Sequence, residues 1–209
     1  MPLTAQVPCP EPNFLGYLFK HIVPRPGSWC LRPDGTPAAT LVQRICSVSN
    51  CIRPEPETKH EQWGFNAAGC YDRPDSAFAS VPPDRAHEFT ALAWEFFPIL
   101  FEHGVHQATT ADMFFGDTLE DRPRPAGLIP LGYDVVSCLP ASPATSTTAP
   151  AMAMFRCSPL SCNGEAANHP VNAHCLLDGW DHAVAAAEAF SRDEPESGPY
   201  AILRVNAIV

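Results

Sequence analysis

The hydrophobic pattern divides the chain into short apolar runs separated by proline and glycine. Residues 131–138 (LGYDVVSC) and 153–157 (AMFRC) are such runs, which is typical of buried strands, and we expect the two to lie side by side. Residues 41–48 (LVQRICSV) alternate between apolar and polar positions, and residues 200–209 (YAILRVNAIV) are again mostly apolar. The pattern therefore predicts four strands.

Three other segments have apolar residues at helical spacing. In residues 84–101 the predicted apolar face consists of Phe89, Leu92, Ala93, Phe96 and Leu100, and Pro98 predicts a kink. Residues 179–190 follow Asp178, a suitable N-cap, and contain five alanines, which favour a helix. A shorter amphipathic helix is predicted over residues 13–22.

These elements predict an α+β fold in a single globular domain, residues 1–209. We expect a small mixed or antiparallel sheet that is packed by two main amphipathic helices, in a chain that is rich in loops. A chain of 209 residues that is 45% hydrophobic and 17% charged suits one well-buried core. For residues 1–12 we predict an N-terminal arm. Residues 140–150 (PASPATSTTAP) have no large apolar side chain, which predicts an exposed, flexible loop.

The charge balance limits the kinds of partner. The net charge is −10, from 23 acidic and 13 basic residues. Because binding to a phosphate backbone depends on clustered Lys and Arg, we expect no nucleic acid and no membrane as a partner. The acidic balance favours another protein, with a basic surface, as the partner.

Cysteine usage and the N-terminal sequence indicate the compartment. Nine scattered cysteines do not have the spacing of a small secreted disulfide scaffold. The first residues lack the basic segment and apolar core of a secretory signal, and no apolar run is long enough to span a bilayer. We therefore expect a cytoplasmic protein with reduced thiols.

Soft and polar side chains are concentrated in residues 157–175. The ones that suit zinc are Cys157, Cys162, His169, His174 and Cys175. The wide separation of Cys157 from Cys162 is unusual for the paired ligands of structural zinc sites. Alternatively, Cys157 and Cys175 are core thiols, because unpaired cysteine is among the most buried residue types. The expected cofactor is none, with zinc as the alternative.

The same span contains the parts of a nucleophilic site. Cys162 is the candidate nucleophile, and His169 or His174 is the candidate base. Asp134 or Asn172 would orient that base. Neither a nucleophile elbow nor an oxyanion-hole motif accompanies these residues, so the presence of the parts does not by itself predict an enzyme.

Two functions from different classes follow from these observations. The first is a non-catalytic protein-binding module of the immunity or inhibitor type, which is favoured by the acidic charge without a catalytic motif. The alternative is a metal- or cysteine-dependent enzyme with its site in residues 157–175. The sequence alone does not decide between an enzyme and a binding protein.

Overall fold

The computed structural model of the protein describes most of the chain. The described residues are 7–21, 23–24, 44–49, 70–79, 83–115, 122–139, 154–162, 164–193, 195–196 and 198–208. The predicted loop 140–150 and the first six residues of the predicted N-terminal arm lie outside these ranges.

The described elements are mainly strands. The strands are β1 Asn13–His21, β2 Val23–Pro24, β3 Arg44–Ile45, β4 Phe89–Glu102, β5 Val105–Ala108, β6 Leu128–Leu139, β7 Met154–Phe155 and β8 Tyr200–Ile208. The helices are α1 Pro74–Ala79, α2 Ala111–Phe115, α3 Pro159–Cys162 and α4 Trp180–Asp193, with short 3-10 turns at Pro83–Glu88 and Glu165–Ala167. Among the described residues, no helix is long and apolar enough to cross a membrane.

The main sheet is antiparallel and has the strand order β1-β4-β8-β6-β7. The short strand β5 forms a hairpin with the end of β4, and β2 pairs separately with β3. The three long strands β4, β8 and β6 therefore form the centre of the domain.

The predicted fold class is wrong in its helices. The described residues form a larger antiparallel sheet with few helices, and α4 is the only one of them that reaches seven residues. Residues 84–101, predicted as a main helix, form a 3-10 turn and most of β4. Residues 13–22, predicted as a short helix, contain β1.

Burial on both faces of the sheet explains this error. In β4 nearly every side chain is buried or half-buried, so the strand does not alternate between apolar and polar positions. A continuous apolar run satisfies helical spacing as well as strand spacing, and its many aromatic residues favour a strand. Pro98 lies where the pairing of β4 with β8 shifts register, an irregularity that accommodates a residue without a backbone N–H.

Other predicted elements are confirmed. The two predicted central strands are β6 and β7, and they pair through Cys138 and Phe155. The closing strand is β8, and the helix after Asp178 is α4. Of the predicted strand 41–48, only Arg44–Ile45 is a strand in the described residues.

We call the side of the sheet covered by α4 the helix face. There the helix packs against β4, β6 and β8. The buried side chains of this face include Phe97, Val135 and Ile202. Among the described residues, α4 is the longest helix that covers the sheet on this side.

We call the opposite side the loop face, and its core includes Phe96, Val136 and Leu203. Its cover consists of α2 and irregular segments instead of a second long helix. Phe114 and Phe115 of α2 pack on Phe96, with ring centroids 4.8 and 5.3 Å away. Residues 46–49 and 158–161, both buried, cover the sheet further along.

We predict that Phe96→Ala lowers the free energy of unfolding by about 3–5 kcal/mol, because it leaves a cavity beneath α2. Denaturant unfolding of the purified protein measures this loss. Val105→Ala is the matched control, since Val105 is 67% exposed and should change stability by less than about 0.5 kcal/mol. Equal stability of the Phe96 variant and the parent would contradict the described packing.

Candidate functional site

The candidate site is built around the buried carboxylate of Asp134, which projects from β6 on the loop face. Oδ2 accepts hydrogen bonds from Ser47 Oγ at 2.8 Å and from the backbone N–H of Val48 at 2.7 Å. Oδ1 accepts one from Ser158 Oγ at 2.5 Å. Burial raises the pKa of Asp134, and these hydrogen bonds act in the opposite direction. The carboxylate therefore holds two distant chain segments against the sheet.

Neighbouring serines extend this network outward. Ser161 Oγ donates to Ser47 Oγ at 2.8 Å, and the backbone N–H of Ser49 donates to the same oxygen at 3.0 Å. The short helix α3 positions Ser161, because its N–H and that of Cys162 both donate to the carbonyl of Ser158. Ser161 and Ser47 thus form a hydrogen-bonded path that ends at Asp134.

Cys162 lies at the outer end of the network. Its Sγ is 2.9 Å from Ser49 Oγ and 3.7 Å from Ser161 Oγ. The Cys162 side chain is half-buried. A continuous series of hydroxyl groups therefore joins this thiol to the buried carboxylate.

His174, one of the two predicted bases, lies in a separate group. Its Nδ1 accepts a hydrogen bond from Arg44 Nε at 3.0 Å and is 4.0 Å from Cys46 Sγ. Burial and the charge of Arg44 lower the pKa of His174, while burial raises the pKa of Cys46. Because Arg44 occupies the Nδ1 lone pair, this nitrogen is not available to take a proton from Cys46.

The other predicted site residues have different surroundings. His169 packs edge-on against Phe190, with centroids 5.0 Å apart, and burial lowers the pKa of His169. Cys175 is buried and donates to the carbonyl of Leu160 at 3.8 Å. The backbone N–H of Cys157 donates to Ser137 Oγ. Among the described residues, no group of three or more His, Cys, Asp or Glu side chains could hold a metal ion.

Asn172, predicted as an orienting residue, shapes the loop that precedes α4. Its Oδ1 accepts hydrogen bonds from the backbone of His174 and Leu176, and its Nδ2 donates to Leu131 and Asp178. The loop lies so close to β6 that a Cβ on Gly132, whose φ is +144°, would be 2.8 Å from the loop backbone. Asn172 therefore orients the backbone of His174, and no hydrogen bond joins it to the imidazole ring.

Sequence reasoning missed Ser47 and Val48 as partners of Asp134. Ser47 lies near the end of the predicted strand 41–48, which is a weak signal without knowledge of what it faces. The stronger signal is Asp134 itself, because a charged residue within a buried strand requires hydrogen-bonding partners.

Comparisons with protein-family models, with curated proteins and with solved structures found no match for this chain.

We predict that Asp134→Asn lowers the free energy of unfolding by about 3 kcal/mol, because the amide nitrogen of asparagine cannot accept the hydrogen bonds that one of the two carboxylate oxygens accepts. Denaturant unfolding at neutral pH measures this loss. Asp112→Asn removes an exposed carboxylate and serves as the control, with an expected change below about 0.5 kcal/mol.

Comparison of the parent with Asp134→Asn also reports the direction in which the pKa of Asp134 is shifted. A raised pKa in the folded state means that folding binds a proton between the unfolded and folded pKa values. As the pH falls through this window, the parent protein should gain stability relative to Asp134→Asn. A relative loss of stability would show that the pKa of Asp134 is lowered.

Proposed function

We propose that this chain is a non-catalytic protein that binds another protein through its acidic surface. The supporting observation is the imbalance of exposed charge. Among the side chains whose exposure is described, the exposed arginines are Arg73, Arg124 and Arg192. The exposed carboxylates are Glu11, Asp72, Asp75, Asp84, Glu102, Asp112, Asp178, Asp181 and Asp193.

Several basic groups are turned inward, which makes the surface more acidic than the composition alone implies. Lys20 is buried and donates hydrogen bonds to the carbonyls of Val48 and Ser49 at 3.4 and 3.0 Å. Arg204 is directed onto the buried carboxylate of Glu95. Few positive charges on this surface would therefore repel a partner whose surface is basic.

The segment from the end of β4 through β5 to α2 combines exposed charge with exposed apolar side chains. Val105 of β5 is 67% exposed and Met113 of α2 is 72% exposed. The exposed carboxylates of Glu102 and Asp112 precede these two residues in the chain. We call these four residues the β5 surface. Apolar side chains with a charged rim are typical of protein interfaces.

The proposed location is the cytoplasm. No disulfide joins the cysteines of the described residues. Unpaired thiols are typical of a reducing compartment, where disulfides rarely persist.

The proposal predicts that neutralising the β5 surface with Glu102→Gln and Asp112→Asn weakens partner binding roughly tenfold, as expected for two rim charges. Cell extract is passed over immobilised parent and variant proteins, and the retained proteins are identified by mass spectrometry. The dissociation constant of a purified retained protein is then measured at several salt concentrations. We expect a basic partner whose affinity falls as salt rises.

The matched control is Asp75→Asn with Asp84→Asn, which removes the same charge from α1 and the 3-10 turn before β4. These positions lie at the opposite end of β4 from the hairpin. The control should retain the partner as the parent does. Loss of the partner with both variants would place the interface elsewhere, and salt-independent binding would contradict recognition by charge.

A cysteine-dependent enzyme is the second candidate, because a series of hydroxyl groups links Cys162 to Asp134. For thiol chemistry, this path would have to carry the proton of Cys162 toward the carboxylate. Neither histidine of the predicted site contacts Cys162 in the described residues, which favours the binding protein. Zinc has no specific support in the described residues.

Alkylation of the native protein distinguishes the two functions. We expect iodoacetamide to modify Cys162 no faster than the exposed Cys9, because His174 is bound by Arg44 and His169 packs against Phe190. Peptide mass spectrometry over time gives both rates in one sample. Faster modification of Cys162, slowed by Asp134→Asn, would make the cysteine-dependent enzyme the better proposal.

A further inference from the structure

A second buried carboxylate, Glu95 of β4, lies on the helix face. Its Oε1 accepts a hydrogen bond from Arg124 Nε at 2.7 Å. Its Oε2 accepts bonds from Arg204 Nε at 2.7 Å and from Asn206 Nδ2 at 2.8 Å. Burial by itself raises the pKa of Glu95, but the hydrogen bonds and the charge of Arg204 outweigh burial, so the pKa is lowered. Glu95 is therefore a carboxylate shared by two guanidinium groups.

The charges of this group do not cancel. Two guanidinium ions share one carboxylate, so the group has a net charge of +1. The net charge of the whole protein is −10. Both arginines use Nε for Glu95, and among the described residues the η nitrogens of Arg124 meet no protein acceptor. The Arg124 side chain is 41% exposed and that of Arg204 is 20% exposed. Arg124 is therefore the more accessible of the two arginines.

A purely structural role does not account for the whole group. Asn206 is fully buried, and its Oδ1 has no hydrogen-bond partner in the described structure. The orientation of its amide is fixed, because Nδ2 must face the carbonyl of Ala93 and the carboxylate of Glu95. An unpartnered buried acceptor lowers the stability of the fold, so the cluster is not arranged for stability alone.

Aromatic side chains flank Arg204. Its guanidinium lies over the ring of Phe97, 5.6 Å from the centroid, and Phe97 packs against Tyr133 at 5.7 Å. Glu95 is the main cause that raises the pKa of Arg204, and the nearby Tyr133 adds to it. The packing on Phe97 and the bond to Glu95 hold the guanidinium in place, which reduces the entropy lost when it binds a ligand.

We propose that Arg124 and Arg204 form a binding site for the oxyanion of a small molecule, either a carboxylate or a phosphate. Because both ε nitrogens lie 2.7 Å from oxygens of one carboxylate, the two guanidinium groups are within reach of a single small anion. Glu95 fixes both side chains and leaves the η nitrogens of Arg124 to donate to the ligand, beside Arg204, which also hydrogen-bonds to Tyr133. Paired donors of this kind match the geometry of carboxylate and phosphate oxygens.

The test uses nuclear magnetic resonance of the 15N-labelled chain, titrated with inorganic phosphate or with benzoate at constant ionic strength. We expect saturable shifts of the Nε–Hε signals of Arg124 and Arg204. Tighter binding of phosphate would indicate a phosphorylated ligand, whereas tighter binding of benzoate would indicate a carboxylate. The absence of saturable shifts with both probes would overturn the proposal.

Arg124→Gln tests the assignment of the site. This variant should bind the preferred probe about tenfold more weakly, because one of the two guanidinium groups is lost. Arg192→Gln removes an exposed arginine of α4 with the same change in net charge and should bind as the parent does. Unchanged binding by Arg124→Gln would overturn the proposal, and the arginine shifts of the parent remain a test should the variant not fold.

Discussion

The buried ionisable carboxyl group of Asp134 is the constraint on which the loop face depends. A carboxylate inside a sheet must be surrounded by hydrogen-bond donors, and Asp134 is fully buried. Ser47, Val48 and Ser158 provide these donors, which fixes residues 46–49 and α3 against β6. The irregular cover of the loop face is therefore positioned by specific polar contacts as well as by apolar packing.

The two buried carboxylates of the sheet differ in how they are neutralised. Asp134 is surrounded by neutral donors, so burial dominates and its pKa is raised. Glu95 is paired with two arginines, so its pKa is lowered. The first arrangement holds chain segments together, whereas the second leaves positively charged donors at the edge of the solvent. For this reason we propose a ligand site beside Glu95 and a structural role for Asp134.

The predicted catalytic parts are separated by the way the chain passes over the sheet. Asn172 directs the backbone of residues 172–176 toward β6, so His174 meets Arg44 instead of Cys162. His169 lies against Phe190 of α4. The proposed binding function rests on the acidic exposed residues and the inward-facing basic groups of the described structure, and the enzyme alternative rests on the hydroxyl path to Cys162.

The sequence by itself determined the strands β6, β7 and β8, the helix α4 and the acidic balance, because these depend on local patterns or on composition. It did not determine the state of β4, because burial on both faces removes the alternation that distinguishes a strand from a helix. Only the tertiary structure decided the partners of Asp134. Ser47 and Ser158 are 87 and 24 residues away from Asp134 along the chain. A local sequence pattern cannot predict contacts between residues that are so far apart. The same holds for Glu95 and Arg204, which are directly opposite each other only because β4 pairs with β8 in this register.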